Sequence, residues 1–323
     1  MKILLRSRWT WIAGAAVAAA FLAAIFGAPY LLGFWHKARN ASISALYEEI
    51  SPAFTAEQFE GQSGDLAYNL HVPDDYNPAQ RYPLIVFIHD SSAVGDDPAY
   101  TLKQGYGALV WATPDVQRKQ PLFVVAPQFD RVIANDKFEL DQKARETIEL
   151  IRALTKKYSI DPDRIYITGQ SMGCMAALAL AIEHPHFFAG ILCVAGQWDP
   201  KLMAPLAHQN LLYIVSEGDA KASPGMDAFE QVAREHGAHP ATAVWNGRWS
   251  EEKFAAAMHR LEVENGRPLL VKFERGSVLP WGVASTPMFE HIYTWDTVYQ
   301  IAAVRDWLLR QRRQPEAGRK ASR

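Results

Sequence analysis

The chain has 323 residues, of which 49% are hydrophobic and 21% are charged. This composition excludes a disordered chain and predicts a globular fold with a sizeable core, arranged as one large α/β domain or two smaller ones. The 33 basic and 35 acidic side chains nearly cancel, so no strong electrostatic field would attract a nucleic acid or an acidic surface. We therefore expect no nucleic-acid partner. A compact neutral substrate fits this charge balance at least as well as a charged one.

The N-terminal segment differs from the rest of the chain. After Lys2, Arg6 and Arg8, the sequence runs from Trp9 to Trp35 without a charged residue. At about 1.5 Å per residue, a helix of this length could cross a hydrocarbon core of roughly 30 Å. The run is longer than the apolar core of an ordinary signal peptide, which favours an uncleaved signal anchor over a cleaved signal. The basic residues before the run predict that the body of the protein is exported.

A repeating order of strand, loop and helix begins at about Gly64. Short apolar runs that end in turn-type residues predict strands covered on both faces. These runs are "YPLIVFIHD", "PLFVVAPQ", "RIYITG", "FAGILCVAG", "LLYIVSEGD" and "PLLVKFERG". The helices are predicted at about 141–158, 172–183, 226–236 and 295–312. This alternation predicts an α/β fold with a mainly parallel central sheet and helices on both faces.

The domain organisation and the state of the cysteines follow from the same patterns. We predict a signal anchor or signal peptide at 1–35, a polar connector at 36–60, the α/β domain at 61–313 and a disordered tail at 314–323. The chain has two cysteines, Cys174 and Cys193, and both lie in predicted core segments. Buried cysteines are more often free small hydrophobic residues than members of a bridge, so we predict free thiols.

The stretch "GQSMG" lies where a predicted strand ends and a predicted helix begins. In this setting a G-x-S-x-G pattern is typical of a nucleophile elbow. Gly169 and Gly173 remove side chains that would collide when the strand folds back against the helix, and Ser171 is left exposed at the helix N-terminus. The surrounding strands and helix favour a nucleophilic role for Ser171 over a simple tight turn or an N-capping serine.

A nucleophilic serine needs a base that accepts its proton and a carboxylate that orients the base. His291 lies between the last predicted strand and the terminal helix, where a base would reach the serine; the alternative is that it caps the helix. Asp219 follows a predicted strand directly, and Gly218 provides the turn that would aim it inward. The rival acids are Asp199, Glu217 and Asp227.

Several segments resemble α/β-hydrolase esterases of the polyhydroxybutyrate-depolymerase and feruloyl-esterase type, a group that includes bacterial proteins labelled predicted peptidases. They are "FIHDSSAVGDD", "RIYITGQSMG", "IVSEGD", and "EHIYTWDTVY" with "VRDWLLRQ". The resemblance covers roughly residues 60–313. It implies an α/β-hydrolase fold and a triad of Ser171, Asp219 and His291.

The same resemblance implies an oxyanion hole made of backbone N–H groups. One donor would be Met172, and the second would be Ser91 or its neighbour Ser92. The family usually has glycine where this chain has Asp90, and small residues at the next two positions. Aspartate tolerates unusual backbone angles better than most residues, so we expect the loop to form with Asp90 in place.

These features predict a serine hydrolase that acts on small-molecule or polymer-linked carboxylic esters. The alternatives are a serine peptidase of the same fold and a catalytically silent hydrolase-fold binding module of the cell envelope. No cofactor or metal is expected, because the histidines lack paired ligand spacing. We expect the protein in the cell envelope, or in the periplasm or medium if the N-terminal segment is cleaved.

A pocket wall or ordinary core could be formed by the aromatic residues Trp198, Trp245, Trp281, Tyr293 and Trp295.

Overall fold

A nine-stranded sheet runs through the part of the chain that the structure, a computed structural model, describes, which is residues 28–264 and 266–313. Its strands in chain order are β1 (Thr55–Phe59), β2 (Leu66–His71), β3 (Tyr82–Ile88), β4 (Phe123–Gln128), β5 (Ile160–Gln170), β6 (Gly190–Val194), β7 (Leu211–Ser216), β8 (Ala241–Trp245) and β9 (Leu269–Phe273). Across the sheet the order is β1, β2, β4, β3, β5, β6, β7, β9, β8. The β1–β2 and β2–β4 pairs are antiparallel, and the other pairs are parallel.

Helices cover both faces of this sheet. They are α1 (Ala28–Ile50), α2 (Ala99–Lys103), α3 (Tyr106–Leu109), α4 (Pro114–Lys119), α5 (Gln142–Lys157), α6 (Met172–Glu183), α7 (Ala222–Glu235), α8 (Glu251–Val263), α9 (Pro287–Gln300) and α10 (Ala302–Arg310). One apolar layer contains residues of α5, α6 and α7. The other contains residues of α3, α8, α9 and α10.

The predicted fold class is confirmed for the α/β part. Strands β3, β4 and β7 are buried along their whole length, as expected for strands of a parallel sheet with both faces covered. Strands β1, β2 and β8 were not among the predicted strands, and they form the two sides of the sheet. On the β8 side, residues 241–273 extend the sheet by β8 and β9, joined by α8.

The predicted connector at 36–60 carries regular structure instead. Helix α1 extends to Ile50, and Ile43 and Ile50 are buried. A bidentate ion pair joins Arg39 to Asp296 on α9. The difference arises because α1 is held by residues distant in sequence, Asp296 on α9 and Tyr106 on α3, and a local polarity pattern does not specify such contacts.

Two predictions fall on parts of the chain that the structure leaves undescribed. Most of the apolar run from Trp9 to Trp35 lies in residues 1–27, and the predicted tail is residues 314–323. Among the residues described, no helix combines the length and hydrophobicity needed to span a bilayer. The anchor and the tail therefore stay predictions.

The terminal helix is divided in two, unlike the single helix predicted from about Trp295 to Arg312. Helix α9 ends at Gln300, and Ile301 adopts an extended conformation with φ of −72° and ψ of 110° before α10 begins. Helix α9 also begins earlier than predicted, at Pro287, with the Thr286 side chain accepting a hydrogen bond from Phe289 N. The candidate base His291 consequently lies on a helix and not in a loop.

The prediction of two free thiols is wrong. Cys174 on α6 and Cys193 on β6 form a disulfide, with their Cα atoms 4.9 Å apart. The two residues are separated by 19 positions in the sequence. Helix α6 packs across β6, a tertiary contact that local sequence patterns do not specify. The bridge ties the helix that follows Ser171 to the neighbouring strand.

Candidate active site

Ser171 occupies a sharp turn between β5 and α6. Its φ of 51° and ψ of −119° lie outside the regions that non-glycine residues favour, a strained geometry found mainly at functional sites. The turn is tight because a Cβ atom at Gly169 would collide with the Gly173 backbone, and one at Gly173 would collide with the Ile88 carbonyl. The chain therefore adopts the predicted elbow at "GQSMG".

The three predicted triad residues lie in hydrogen-bond contact. His291 Nε2 is 2.9 Å from Ser171 Oγ, and His291 Nδ1 is 2.5 Å from Asp219 Oδ2. Ser171 follows β5, Asp219 follows β7, and His291 is on α9, after β9. The carboxyl ends of parallel strands meet at one edge of the sheet, which explains how residues 120 positions apart in sequence come together.

The Asp219 carboxylate is buried and held on both oxygens. Oδ1 accepts N–H groups from Lys221 at 3.0 Å and Ala222 at 2.9 Å, while Oδ2 faces His291. Burial alone would raise the pKa of Asp219, but hydrogen bonding and electrostatic attraction to His291, aided by the two N–H groups, leave that pKa below its ordinary value. Asp219 is therefore ionised at neutral pH and can stabilise a protonated imidazole.

The rival acids have other partners. Asp199 Oδ1 accepts a hydrogen bond from Lys201 N, Glu217 Oε2 accepts one from Arg275 N, and Asp227 forms an ion pair with Lys272. Of these four candidate acids, Asp219 is the one whose carboxylate contacts the His291 ring. The geometry thus favours the acid that the sequence favoured.

The two predicted oxyanion donors border the same cleft as Ser171. Met172 begins α6, so its N–H has no acceptor within the helix. The Ser92 N–H is bound to Asp90 Oδ1 at 2.7 Å, which removes the alternative second donor. Ser91 therefore remains as the candidate for that role.

Asp90, where the resemblance implies a glycine, is accommodated without backbone strain. Its φ of −80° and ψ of 175° are ordinary extended values, so the position needs no unusual backbone conformation. The side chain instead braces the loop, since Oδ1 accepts the Ser92 N–H and Oδ2 accepts Gln170 Nε2 at 2.7 Å. Gln170 precedes Ser171, and this contact joins the Ser91 loop directly to the elbow.

The buried residue His89 supports the same loop. His89 Nδ1 donates to the Asp90 carbonyl at 2.7 Å, and Nε2 accepts the Phe129 N–H at 3.0 Å. These roles require a neutral ring. Burial lowers the pKa of His89, against the opposing effect of its hydrogen bond to Asp90, in agreement with that neutral state. The sequence analysis did not predict this network. Gln170, a polar residue next to the candidate nucleophile in "GQSMG", could have indicated it.

Glu290 fixes the start of α9 beside His291. It is fully buried, and its carboxylate accepts hydrogen bonds from Ser216 Oγ at 2.5 Å and Gly276 N at 2.7 Å. Ser216 ends β7 and lies three residues before Asp219. The same carboxylate thus connects the helix of the candidate base to the strand of the candidate acid. Sequence analysis missed this residue too, because its partners come from separate loops.

A cleft of about 490 Å³ opens over Ser171 and His291. The apolar residues that line it include Val132, Ala134, Met175, Pro287 and Met288. The polar residues that line it include Asn135, Asp136, Gln197 and Lys221. A larger surface groove of about 640 Å³ runs between α8 and α10, but it contains none of the predicted site residues. Among the residues described, no cluster of side chains is suited to holding a metal ion.

The aromatic residues do not form the wall that the sequence suggested as one possibility. None of the five lines the cleft. Trp198, Trp245 and Tyr293 are buried, and Trp281 is 82% exposed. Trp295 is buried with its ring centroid 5.0 Å from that of His291, so it packs against the ring of the candidate base. Core packing is the correct interpretation for four of them.

The family model Esterase, described as "Putative esterase", matches residues 63–271. The chain belongs to this esterase family. The match includes Ser171 and Asp219, and His291 follows it in the sequence. Poly(3-hydroxyalkanoate) depolymerase C of Paucimonas lemoignei is 25% identical to this chain in an alignment of length 242, which covers 69% of this chain and 50% of the depolymerase.

Solved structures agree with this assignment. A thermostable esterase has a TM-score of 0.66 and 25% identity, over 82% of this chain and 64% of that one. The feruloyl esterase module of Clostridium thermocellum, complexed with sinapinate, has a TM-score of 0.50 and 12% identity over 76% of this chain and 86% of the module, and it shows the shared fold. The chain spans about half the length of the depolymerase. The predicted resemblance to this type of esterase is confirmed.

Proposed function

We propose that this protein is a carboxylic ester hydrolase that acts through Ser171, His291 and Asp219. The observation that carries the proposal is the continuous line of contacts from Ser171 Oγ through both nitrogens of His291 to the buried Asp219 carboxylate. Membership of the esterase family supports the same reaction class. The strained backbone of Ser171 also favours a role in chemistry over a role in folding.

In the proposed mechanism, Ser171 Oγ attacks the ester carbonyl carbon while His291 Nε2 accepts the hydroxyl proton. Asp219 holds Nδ1–H and stabilises the imidazolium that forms. The tetrahedral intermediate then collapses, the ester C–O bond breaks, and His291 returns the proton to the leaving alcohol. Water attacks the acyl-enzyme in the same way, with His291 as the base, and releases the carboxylic acid.

The carbonyl oxygen becomes negatively charged in both tetrahedral intermediates. The N–H groups of Met172 and Ser91 would stabilise that charge, and loss of one such donor typically costs about 100- to 1,000-fold in rate. Asp90 contributes indirectly, because it fixes the loop that carries Ser91 through Ser92 N and Gln170. This preorganisation avoids the cost of ordering the donors during the reaction.

The lining of the cleft indicates what the substrate looks like. Val132, Met175 and Met288 suit an apolar group of the ester, whereas Asp136 and Gln197 suit a polar group. Gln197 Nε2 also donates to Asp136 at 2.9 Å. Esters that combine apolar and hydroxylated parts, including those of polyester chains, fit this mixed lining.

A substrate panel tests the reaction class. We expect the full-length protein to hydrolyse short-chain p-nitrophenyl esters and feruloyl esters at rates at least about 100-fold above those for aminoacyl p-nitroanilides, because esters have the better leaving group. The measurement is kcat/KM for each compound. Faster cleavage of the anilides would make the protein a peptidase, and absence of turnover in every class would favour the binding-module alternative.

We also propose that the esterase domain lies outside the cytoplasm and is held at a membrane by the uncharged run from Trp9 to Trp35. The disulfide between Cys174 and Cys193 supports export, because such bonds persist in oxidising compartments. The full-length protein should remain in the membrane pellet after carbonate extraction. A soluble mature form that begins after residue 28 would contradict the anchor but not the export.

A further inference from the structure

An apolar surface adjoins the cleft. We call it the aromatic surface and define it by Phe34, Trp35, Trp281 and Met288. Phe34 is 61% exposed, Trp281 is 82% exposed and Met288 is 63% exposed. The rings of Phe34 and Trp35 are 5.2 Å apart, and Trp35 Nε1 donates to the Trp281 carbonyl at 2.9 Å. These contacts bring the start of α1 against the loop between β9 and α9.

The position of Met288 connects this surface to the candidate active site. Met288 lines the cleft together with Pro287. Its neighbour Phe289 has its ring 5.8 Å from that of His36 on α1. An apolar path therefore runs from the first turns of α1, across the loop, to the rim of the cleft over Ser171.

The loop that carries Trp281 and Met288 has no charged residue of its own from Gly276 to Phe289, and Glu290, which follows, is fully buried. The neighbouring cations are Lys37 on α1 and Arg248, whose guanidinium donates to the Gly276 and Leu279 carbonyls. By contrast, the exposed apolar residues Val244 and Val263 lie on β8 and α8, away from the cleft. Single exposed apolar residues are ordinary, whereas a contiguous patch indicates a binding surface.

We propose that the aromatic surface contacts a lipid bilayer, so that the cleft opens at the membrane and receives acyl esters from it. The chain itself indicates this partner, because the uncharged run from Trp9 continues directly into α1, which carries Phe34 and Trp35. Tryptophan is the residue that prefers the interface between lipid and water. Apolar side chains inserted at this depth strengthen membrane binding in proportion to the area they bury.

The proposal also identifies a substrate class, and this part rests on the proposed ester hydrolase function. An amphiphilic ester that leaves the bilayer would pass Met288 and place its acyl chain against the apolar residues of the cleft. Its polar group would contact Asp136 and Gln197. Long-chain acyl esters of membrane amphiphiles meet both requirements.

Fluorescence quenching tests the membrane contact. Trp281→Cys and, as a matched control, Val263→Cys are each labelled with an environment-sensitive fluorophore and reconstituted as full-length protein in phosphatidylcholine vesicles. Val263 ends α8, which leads to the amino end of β9, and it does not line the cleft, which lies at the carboxyl ends of the strands. The label at position 281 should be quenched by nitroxide-labelled lipid and protected from aqueous iodide, and the label at position 263 should show the reverse. Equal iodide quenching at both positions would overturn the proposal. So would shielding of position 281 from both quenchers, which would indicate a second protein copy on the surface.

Kinetics test the role in substrate delivery. Phe34 and Trp281 do not line the cleft, so the double variant Phe34→Ser, Trp281→Ser should keep kcat/KM for a water-soluble short-chain ester within about twofold, but lose about tenfold in hydrolysis of a long-chain ester carried in vesicles. Equal losses for both esters would overturn the delivery role. If wild-type protein hydrolyses neither ester, the proposed function fails, while the quenching result still decides the membrane contact.

Discussion

Replacement of Ser171 by alanine should reduce kcat for ester hydrolysis by about a million-fold, the loss typical when the nucleophile of such a triad is removed. The remaining rate would come from substrate binding and from the oxyanion donors, which the variant keeps. The protein should still fold, because Ser171 Oγ contacts His291 at the surface of the cleft and contributes little packing. Steady-state kinetics with a p-nitrophenyl ester, and thermal unfolding, measure the two quantities.

Ser63→Ala provides the matched control for this variant. Ser63 is exposed in the connection between β1 and β2, far from the cleft lining. Its replacement should leave kcat unchanged. Activity of Ser171→Ala at more than a few per cent of wild type, in protein free of contaminating esterase, would mean that another group is the nucleophile.

Replacement of Asp219 by asparagine should reduce kcat by about 10,000-fold while the fold is kept. Asparagine retains an oxygen that can accept the N–H groups of Lys221 and Ala222, but its amide nitrogen would favour the wrong imidazole tautomer at His291.

The lowered pKa of Asp219 means that its carboxylate stabilises the native state at neutral pH. As the pH falls, this stabilisation begins to be lost near about pH 3.9, the ordinary aspartate pKa. It is fully lost below the lower pKa that Asp219 has in the native state.

Three further substitutions distinguish Asp219 from its rivals. Asp199→Asn, Glu217→Gln and Asp227→Asn remove carboxylates whose partners lie outside the triad. Each should cost less than about tenfold in kcat. If Asp199→Asn instead showed the large loss, the acid would belong to the loop after β6.

The nucleophile elbow was predictable because its determinants are local. Gly169, Ser171 and Gly173 lie within five positions, and the strand before them and the helix after them have clear apolar patterns. The acid and the base were predictable to a lesser degree, from their places after the strands that end near the elbow. The helical setting of His291 was not, because the cap at Thr286 and the contacts of Glu290 fix the start of α9.

Other features depend on which elements become neighbours, and local patterns do not specify that. The disulfide requires Cys174 and Cys193 to face each other across α6 and β6. The brace between Asp90 and Gln170 requires β3 to lie beside β5. The polar residues that line the cleft come from three separate loops, so no single sequence motif predicts them. The aromatic residues could not be assigned to the cleft or to the core from the sequence, because residue type does not specify which side of an element a side chain occupies.

The central claim, that Ser171 is an activated nucleophile, is tested most directly by a fluorophosphonate probe. The probe reacts with a serine hydroxyl only when a base activates it, so labelling reports on the triad and not on the sequence motif. We predict that wild-type protein is labelled at Ser171 alone, as located by peptide mass spectrometry, and that His291→Ala abolishes labelling. Folded wild-type protein that stays unlabelled under excess probe, or that is labelled equally well after His291→Ala, would contradict the claim.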